Sequence, residues 1–314
     1  MAKVLDSNST KPVEIPQISS VFDPGNLSIT SFKVENPSTA NGKTKPLFIV
    51  APTEEGSFPV LLFLHGYMCA NTVYTQLLQH IASHGFVIVA PQLYTSMFTK
   101  LAQEIADVAA VTSWMSTELQ SVLPEAVKID LTKVGLVGHS RGGNAAFCLA
   151  LGKAESSLHF SALMGIDPTA GYNTLFRTKP NILNYIPRSF DLEIPVGVIG
   201  TGLGSQQKNF LMPPCAPEGV NHAEFFNECK PPCCYFLAKE YGHMSILDDG
   251  AAKVGACFCK GGSQPKYLMR KGVGGIVVAF MKAYLKVDEA DLVSVTNNPK
   301  AAPITLDPII YIPA

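Results

Sequence analysis

The sequence has little charge and no long apolar run. Charged residues make up 16% of the 314 residues, and 24 basic side chains nearly balance 25 acidic ones, giving a net charge of -1. No basic block with interleaved aromatic residues is present, which argues against a nucleic-acid partner. The most apolar stretches, 59–64 and 272–281, reach about half of the ~20 residues that a membrane-spanning helix needs. We therefore expect no spanning segment, although peripheral contact with a membrane is compatible with the sequence.

No targeting signal can be read from the first residues, and no metal-binding pattern is present. Residues 1–7 lack the apolar stretch of a secretory signal, and they include Asp6, which is unusual in a transit peptide. Six of the eight cysteines lie between Cys215 and Cys259, but neither the adjacent pair nor the C-x-C pair there has the spacing of a zinc site. We predict no metal and no cofactor. One or two disulfides that tie down a loop are favoured over metal binding, with free thiols as a further alternative.

Apolar segments alternate with amphipathic segments along most of the chain. Residues 1–25 are polar and contain proline, so we interpret them as a flexible lead-in to a single domain over 26–314. Short β-rich runs at 27–34 and 47–51 are typical of antiparallel edge strands. The later alternation predicts the α/β class, with a mostly parallel, doubly wound sheet covered on both faces. The predicted strands are 60–64, 86–90, 134–137, 160–166 and 196–200, the predicted helices are 73–84, 101–123, 142–151 and 274–285, and 235–239 is a strand or a connector.

One connection is far longer than an ordinary loop. Residues 201–232 contain Gly, Pro, Cys and Gln in irregular order. Connections between strands and helices usually span about 2–6 residues, and much longer ones often cover a functional site. We therefore expect this segment to cap the active site.

A Gly-x-Ser-x-Gly pentapeptide is the most informative motif of the chain. Gly138-His139-Ser140-Arg141-Gly142 follows the apolar run 134–137. At a junction between a strand and a helix, this motif is a nucleophile elbow whose turn admits only glycine beside the serine. A serine hydroxyl is a poor nucleophile near neutral pH, so it needs an imidazole base and a carboxylate that orients the imidazole. The motif predicts Ser140 as the nucleophile of an α/β-hydrolase.

Three histidines follow Ser140, and the α/β-hydrolase order of serine, acid and histidine restricts the base to them. His159 precedes a predicted strand at the edge opposite the elbow, and His222 lies in the irregular loop. His243 follows an apolar segment and a glycine, and it precedes the last predicted helix. We predict His243 as the base, with an ordinary surface-loop histidine as the alternative.

Asp167 is the favoured acid. It ends the strand predicted at 160–166, which puts its carboxylate at the carboxyl edge of the sheet, where α/β sites assemble. The segment after the next strand, 200–204, contains no carboxylate. The two aspartates that follow His243 lie so close to it that capping a turn or a helix is their better role. For Asp167 itself, the alternative is a structural Asp-Pro turn.

An oxyanion hole requires two backbone N–H groups directed at the developing negative charge, one of them from the residue after the nucleophile. That residue is Arg141. The second group should come from the loop after an early strand, where we favour Tyr67 and keep Met68 as the alternative. His65 lies in the same loop. A supporting position at the end of the strand explains it as well as a direct role in the reaction does.

Several segments together resemble the plant chlorophyllases. They are the elbow with Gly143, Phe63-Leu64-His65-Gly66-Tyr67, Pro214–His222, Glu228–Cys233 and Tyr241-Gly242-His243-Met244. The resemblance spans residues 20 to 300, and its Cys-Pro-rich loop is more specific than the elbow, which all lipases share. It implies the α/β-hydrolase fold and hydrolysis of the phytyl ester of chlorophyll to chlorophyllide and phytol. It also implies a triad of Ser140, Asp167 and His243, and a chloroplast location, with the cytosol or an endomembrane surface as the alternative.

Such a substrate combines an isoprenoid chain with a flat macrocycle, so the enzyme needs a wide apolar mouth. The candidates to line it are Met68, Phe210, Leu211, Met212, Val220, Phe225 and Phe226. Burial of these side chains as loop anchors is the alternative. The magnesium belongs to the substrate, so the protein itself needs no metal site. Competing functions on the same fold are a general carboxylesterase or lipase and a catalytically silent pigment- or lipid-binding protein.

Overall fold

The computed structural model describes residues 20–39, 42–94 and 98–314. Within them, nine strands form one sheet in the order β1-β4-β6-β5-β7-β8-β9-β10-β11, and β2 pairs with β3 separately. The strands are β1 Ile29–Val34, β2 Ser38–Thr39, β3 Gly42–Lys43, β4 Leu47–Pro52, β5 Gly56–Leu64, β6 Val87–Pro91, β7 Val127–His139, β8 Ala162–Ile166, β9 Val196–Thr201, β10 Cys233–Ala238 and β11 Leu306–Ile312.

The six strands from β5 to β10 run parallel to one another. Antiparallel strands flank them, with β1 and β4 on one side and β11 on the other. Parallel strands bring their carboxyl ends to one edge of the sheet, which we call the carboxyl edge, and the opposite edge is the amino edge. The mostly parallel α/β-hydrolase sheet predicted from the sequence is therefore confirmed.

Helices cover both faces of the sheet. Apolar side chains of β5 alternate between two core clusters, with Leu61 and Phe63 in one and Leu62 and Leu64 in the other. Burial on both faces explains why the central strands read as unbroken apolar runs. No helix of the described part combines the length and the apolarity needed to cross a bilayer. The helices are α1 Thr75–Ser83, α2 Leu101–Thr117, α3 Leu119–Val122, α4 Arg141–Ala150, α5 His222–Glu228, α6 Asp249–Phe258, α7 Lys266–Leu285 and α8 Ala290–Asn297.

The two ends of the chain differ from the sequence prediction. The lead-in was predicted to end at residue 25, but Val21 and Phe22 are buried in the core. Phe22 packs so closely on α7 that a Cβ at Gly275 would lie 2.3 Å from its ring. The rest of the predicted lead-in, residues 1–19, lies outside the described residues. After α7, which was predicted to close the fold, the chain adds α8 and β11.

Within the sheet, the edge-strand prediction is correct for β1 and wrong for β4. All six residues of β4 are buried, because this strand lies between β1 and β6. The helix predicted over 101–123 is split into α2 and α3, and the segment 235–239 lies largely in β10. The other predicted elements are present with shifted ends, and both β7 and α7 begin well before the predicted residues.

The long connection after β9 has more order than its composition indicates. Its last part forms α5, which begins at His222. One disulfide joins Cys215 in this loop to Cys259 at the end of α6, with the two Cα atoms 5.6 Å apart. The other six cysteines are free, and all except Cys257 are buried. The expectation of a cysteine bridge in this loop is therefore confirmed by a single disulfide.

Candidate active site

Ser140 lies at the sharp turn between β7 and α4. Its backbone has φ 57 and ψ -125, a strained conformation for a residue that is not glycine. The neighbouring glycines permit this turn, since a Cβ at Gly138 would lie 2.3 Å from the carbonyl oxygen of Gly142. A Cβ at Gly142 would lie equally close, 2.3 Å, to the carbonyl oxygen of Leu64. The turn therefore has the geometry of a nucleophile elbow.

The structure brings together the three residues predicted as a triad. Ser140 Oγ is 2.8 Å from His243 Nε2, and His243 Nδ1 is 2.7 Å from Asp167 Oδ2. Ser140 comes from the turn after β7, Asp167 from the end of β8, and His243 from a short 3-10 helix after β10. All three side chains are buried, with Ser140 8% exposed. Three separate connections at the carboxyl edge thus converge on one hydrogen-bonded chain.

The hydrogen bonds determine which nitrogen of His243 carries the proton. Asp167 accepts from Nδ1–H, so Nε2 is left to accept from the hydroxyl of Ser140. Burial raises the pKa of Asp167, but the hydrogen bond and charge interaction with His243, helped by its other polar neighbours, outweigh burial and hold the pKa at about 2. The acid is therefore ionised at neutral pH. In this state the imidazole is ready to take a proton from the serine.

Two further residues contact the carboxylate of Asp167. Thr201 donates twice, from its hydroxyl to Oδ2 at 2.6 Å and from its backbone N–H to Oδ1 at 3.2 Å. His222 Nε2 lies 3.6 Å from Oδ1. Neither contact has a local signal in the sequence, where Thr201 lies in a segment without a carboxylate and His222 lies in the irregular loop. Thr201 reaches Asp167 through the parallel pairing of β8 with β9, and His222 reaches it because the start of α5 packs on β9.

The loop after β5 passes directly against the serine. A Cβ at Gly66 would lie 3.3 Å from Ser140 Cβ and 3.0 Å from His139 Nδ1. Met68 has φ 58, and the N–H of Cys69 donates to the carbonyl of Gly66 at 3.1 Å, which closes a tight turn. On the other side of the serine, α4 begins at Arg141, and the first N–H groups of a helix have no partner within it. Both segments predicted to supply oxyanion donors therefore border Ser140.

Two buried histidines support this arrangement. The N–H of Leu93 donates to His65 Nε2 at 2.9 Å, so Nδ1 carries the proton and donates to the carbonyl of Gly66, also at 2.9 Å. Burial lowers the pKa of His65 to about 4, which keeps it neutral in this supporting position. His139 lies between Tyr74, 2.8 Å from its Nδ1, and the carbonyl of His243, 3.0 Å from its Nε2. His139 thereby connects the elbow to the backbone of the base, a contact between residues 104 apart that no local pattern in the sequence predicts.

The side chain of Arg141 joins the elbow to the loop after β5. Its Nε donates to Glu104 Oε2 at 3.0 Å, and a second bond reaches the other carboxylate oxygen. The guanidinium carbon lies 4.9 Å from the ring centre of Tyr67. Glu104 is fully buried and also accepts from the hydroxyl of Tyr94 at 2.8 Å. Arg141 thus holds Tyr67, the residue predicted to supply the second oxyanion donor.

The candidate substrate-binding residues fall into two groups. Phe210, Leu211 and Met68 are 88%, 71% and 60% exposed, whereas Met212 and Phe226 are half-buried. Phe225 is fully buried, with its ring 4.9 Å from that of Phe147, and Val220 is fully buried as well. The prediction that Phe225 faces the substrate is therefore wrong, because this side of α5 packs on the core. Over the described ranges, no three His, Cys, Asp or Glu side chains are grouped as a metal site requires.

Comparison with known proteins assigns the chain to a family. The chlorophyllase family model matches residues 17–313. Chlorophyllase-1 of Arabidopsis thaliana is 45% identical over 98% of this chain and 96% of its own length, and Chlorophyllase-2 of the same plant is 46% identical over 81% and 82%. A protein of Citrus unshiu named "Chlorophyllase-1, chloroplastic" is 42% identical over 100% of this chain and 97% of its own. Since these matches span nearly the whole sequence, the protein belongs to the chlorophyllase family.

Proposed function

We propose that this protein hydrolyses the phytyl ester of chlorophyll to chlorophyllide and phytol through an acyl-serine intermediate. The observation that carries the proposal is the hydrogen-bonded chain from Ser140 Oγ through His243 to Asp167, with links of 2.8 and 2.7 Å. Membership of the chlorophyllase family supports the substrate. Citrus relatives are named chloroplastic, and on that basis we propose a chloroplast location.

In the first half-reaction, Ser140 Oγ attacks the ester carbonyl carbon while His243 Nε2 accepts the hydroxyl proton. The ionised Asp167 stabilises the imidazolium that forms. The N–H groups of Arg141 and Tyr67 donate to the oxyanion of the tetrahedral intermediate. Collapse of this intermediate breaks the bond to the phytol oxygen, which takes the proton from Nε2, and leaves the acyl group on Ser140.

The second half-reaction uses the same groups with water as the nucleophile. His243 Nε2 accepts a proton from water as the water oxygen attacks the acyl carbon. The same two N–H groups hold the second oxyanion, and the proton returns from Nε2 to Ser140 Oγ as the acyl bond breaks. Chlorophyllide leaves as a carboxylic acid, and the free enzyme is restored.

The exposed apolar residues near the site suit the bulk of the substrate. Phe210, Leu211 and Met68 extend from loops at the carboxyl edge, and half-buried Phe226 stacks on Tyr235 with ring centres 5.0 Å apart. A phytyl chain and a macrocycle together present far more apolar surface than a narrow pocket covers. We propose that these residues form the mouth that accepts the pigment ester.

We also propose peripheral association with a membrane at the carboxyl edge. The loops there expose large apolar side chains that we call the rim: Met68, Phe98, Tyr172, Leu175, Phe176, Phe210 and Leu211. The segments 92–103, 168–180 and 202–217 contain no Asp or Glu but carry four basic residues, Lys100, Arg177, Lys179 and Lys208. An apolar rim with basic neighbours matches an anionic bilayer surface, from which a lipophilic substrate could enter directly.

The decisive experiment is pigment turnover by the purified protein and its Ser140→Ala variant. We expect Ser140→Ala to lose at least about 1,000-fold in kcat while retaining the fold, because the residual rate comes only from binding and the oxyanion hole. Ser116→Ala, at an exposed serine of α2, is the matched control and should retain full activity. A fluorophosphonate probe should label the wild type and Ser116→Ala but not Ser140→Ala.

The same assay separates the competing functions. Substantial chlorophyll turnover by Ser140→Ala would refute the nucleophile assignment. Hydrolysis of p-nitrophenyl butyrate without turnover of chlorophyll a would keep the esterase but overturn the pigment substrate. Absence of both turnover and probe labelling in the wild type would indicate a silent binding protein.

A further inference from the structure

A second imidazole lies beside the acid of the proposed triad. His243 Nδ1 is 2.7 Å from one carboxylate oxygen of Asp167, and His222 Nε2 is 3.6 Å from the other. Asp167 is fully buried and His222 is 7% exposed. The mechanism above uses only the first of these contacts. Because His222 is buried, titratable and close to the hydrogen-bonded residues of the proposed triad, we ask what role its imidazole has there.

The partners of the two ring nitrogens together identify the tautomer of His222, because the ionised carboxylate beside Nε2 can only accept whereas a phenol beside Nδ1 can donate. Its Nδ1 lies 2.9 Å from the hydroxyl oxygen of Tyr235, which is itself buried. Burial raises the pKa of Tyr235 and lowers that of His222, so the phenol keeps its proton and the imidazole is neutral. With the phenol donating to Nδ1, the imidazole proton is on Nε2, which faces Asp167. The opposite tautomer would direct a lone pair at the carboxylate.

Packing holds the ring of His222 in this orientation. A Cβ at Gly200 would lie only 2.4 Å from His222 Nδ1, so the ring lies flat against the backbone of β9. His222 is the first residue of α5, and the side chain of Asn221 caps this helix by accepting from the N–H of Ala223 at 3.1 Å. The strand β9, the strand β10 with Tyr235, and the start of α5 thus all fix the ring.

We propose that His222 is a positioning residue: its Nε2–H faces Asp167 Oδ1 and keeps Oδ2 directed at His243 Nδ1. The torsion about the bond to the carboxylate of Asp167 is soft, so contacts on both oxygens are needed to fix which one faces His243. Thr201 donates to both carboxylate oxygens, and the N–H dipole of His222 Nε2, 3.6 Å from Oδ1, adds an electrostatic contact on the side away from His243.

His222 suits this positioning role because its imidazole is uncharged. A lysine or arginine in its place would orient the carboxylate too, but its positive charge would oppose the imidazolium that His243 becomes during the reaction. A neutral N–H donor orients Asp167 at a smaller electrostatic cost. The groups that face His222 are Asp167 at the end of β8, the backbone carbonyl of Thr201 at the end of β9, Tyr235 on β10 and His243 after β10. His222 therefore orients the acid while leaving the negative charge available to the base.

The test compares variants that differ in this single donor. His222→Phe keeps a ring of similar size without an N–H, and His222→Gln restores an amide N–H donor. His159→Phe, at an exposed histidine of the amino edge, is the control. We expect His222→Phe to lower kcat about tenfold with KM changed less than about twofold, as for loss of other orienting partners. His222→Gln should recover most of the rate, and His159→Phe should match the wild type.

A second readout needs no substrate. The proton of the bond between His243 Nδ1 and Asp167 should give a downfield proton NMR signal, assigned by its absence in Asp167→Asn. We expect this signal to shift or broaden in His222→Phe and to persist in His222→Gln and His159→Phe. The inference rests on the proposed function for its rate effect only, so the NMR signal still decides it if pigment turnover is absent.

Several results would overturn the inference. One is a His222→Phe protein with an unchanged kcat and an unchanged signal. Another is a parallel loss of stability and rate with a normal signal in the folded protein, which would make His222 merely structural. If His222→Phe does not fold, Tyr235→Phe replaces it, because it removes the partner that sets the tautomer. An unchanged signal and rate in Tyr235→Phe would also contradict the role.

Discussion

Arg141 connects the two backbone segments on which the proposed oxyanion hole depends. Its own N–H is one candidate donor, and its guanidinium lies over the ring of Tyr67, whose N–H is the other. Two bonds to the buried Glu104 fix the guanidinium in its plane. Only arginine can make both contacts. Its planar guanidinium forms two hydrogen bonds with the carboxylate of Glu104 and stacks on the ring of Tyr67, whereas the ammonium group of lysine can neither pair with the carboxylate in this way nor stack.

Arg141→Lys tests this role, because it keeps the backbone N–H and the positive charge. We expect kcat to fall about tenfold with little change in KM, since a displaced donor weakens only the transition state. The free energy of unfolding should fall by about 1–3 kcal/mol, because part of the hydrogen bonding of buried Glu104 is lost. The measurements are steady-state kinetics and urea unfolding.

The control for this variant is Arg177→Lys. Arg177 also lies over a tyrosine ring, that of Tyr185, at 5.3 Å, and donates to a backbone carbonyl at 2.8 Å. It has no contact with the elbow among the described hydrogen bonds. If both variants lose rate equally, or if Arg141→Lys leaves kcat unchanged, the stacking of Arg141 on Tyr67 has no role in the reaction.

Residues of the site were predictable where a local pattern reveals them. Ser140 lies in a five-residue motif, and Asp167 follows an apolar strand directly. Glu104 and His222 carry no such signal, since they are separated in sequence from their partners Arg141 and Asp167 by 37 and 55 residues, respectively. The burial of Phe225 could not be predicted either. Its side chain is directed at the core by α5, and the irregular composition of 201–232 gives no sign that a helix forms there.

At the scale of elements, one disulfide joins two segments that flank the site. Cys215 lies in the loop after β9, and Cys259 ends α6, the helix that follows His243. The cysteines are 44 residues apart in sequence, so the bridge removes many conformations from the unfolded chain. It also restrains the loop that carries Phe210 and Leu211.

Removal of this bridge should reduce both stability and substrate binding. We expect the Cys215→Ser/Cys259→Ser variant to lose about 2–4 kcal/mol in free energy of unfolding, from the loop-closure entropy alone. KM for chlorophyll should rise, whereas hydrolysis of p-nitrophenyl butyrate should change little, because Ser140, His243 and Asp167 are held by other contacts. Thermal unfolding and kinetics with both substrates provide the measurement.

Cys257→Ser is the matched control, since this cysteine is exposed, free and close to Cys259. It should match the wild type in stability and in both assays. A double variant with unchanged stability would show that the bridge does not form in solution. Equal loss of activity on both esters would show instead that the bridge supports the site itself.

The elements themselves were predictable to different degrees for a physical reason. Central strands such as β5 are buried on both faces, and their unbroken apolar runs identify them. The strand β11 was missed because most of its residues are exposed or half-buried and it contains Pro308, which argues against a strand. The strand β4 was predicted as a strand, but its position inside the sheet was not. Which strands pair with it depends on distant parts of the chain, so its own residues do not reveal that β1 and β6 lie on either side.

At the scale of the whole molecule, charge is distributed unevenly although the net charge is only -1. Three segments near the carboxyl edge are basic and lack acids, whereas the exposed acids of that edge lie in the neighbouring segments, with Glu218 late in the loop after β9 and Glu240 and Asp249 after β10. Such separation has no effect on folding by itself, but it orients a protein near a charged surface. We therefore expect membrane binding to depend on anionic lipid and on three exposed lysines in the segments of the rim, Lys100, Lys179 and Lys208.

The triple variant Lys100→Gln/Lys179→Gln/Lys208→Gln should bind less tightly to vesicles of phosphatidylcholine and phosphatidylglycerol. Each lysine near an anionic surface contributes about 1 kcal/mol, so the partition coefficient should fall up to about 100-fold. Vesicle sedimentation measures the partition, and p-nitrophenyl butyrate hydrolysis verifies the fold. Pure phosphatidylcholine vesicles should bind wild type and variant equally weakly.

The control removes three exposed lysines at the amino edge, through Lys128→Gln/Lys133→Gln/Lys153→Gln. It changes the net charge by the same amount, so the comparison isolates the position of the charges. Equal loss of vesicle binding in the two triple variants would show that only net charge matters. Unchanged binding in the rim variant would eliminate the carboxyl edge as the membrane-facing side.

The outer edge strand β11 has a consequence for self-association. An exposed strand edge is a template on which a strand of a second molecule can pair. Here Pro308 lacks the N–H that such pairing uses, and the register with β10 shifts between Phe236 and Ala238 beside it. Asp307 adds a charge, paired with Lys239 at 2.7 Å. These features disfavour edge-to-edge pairing on this side, which helps an enzyme with an exposed apolar rim to avoid fibrous aggregates when it is crowded.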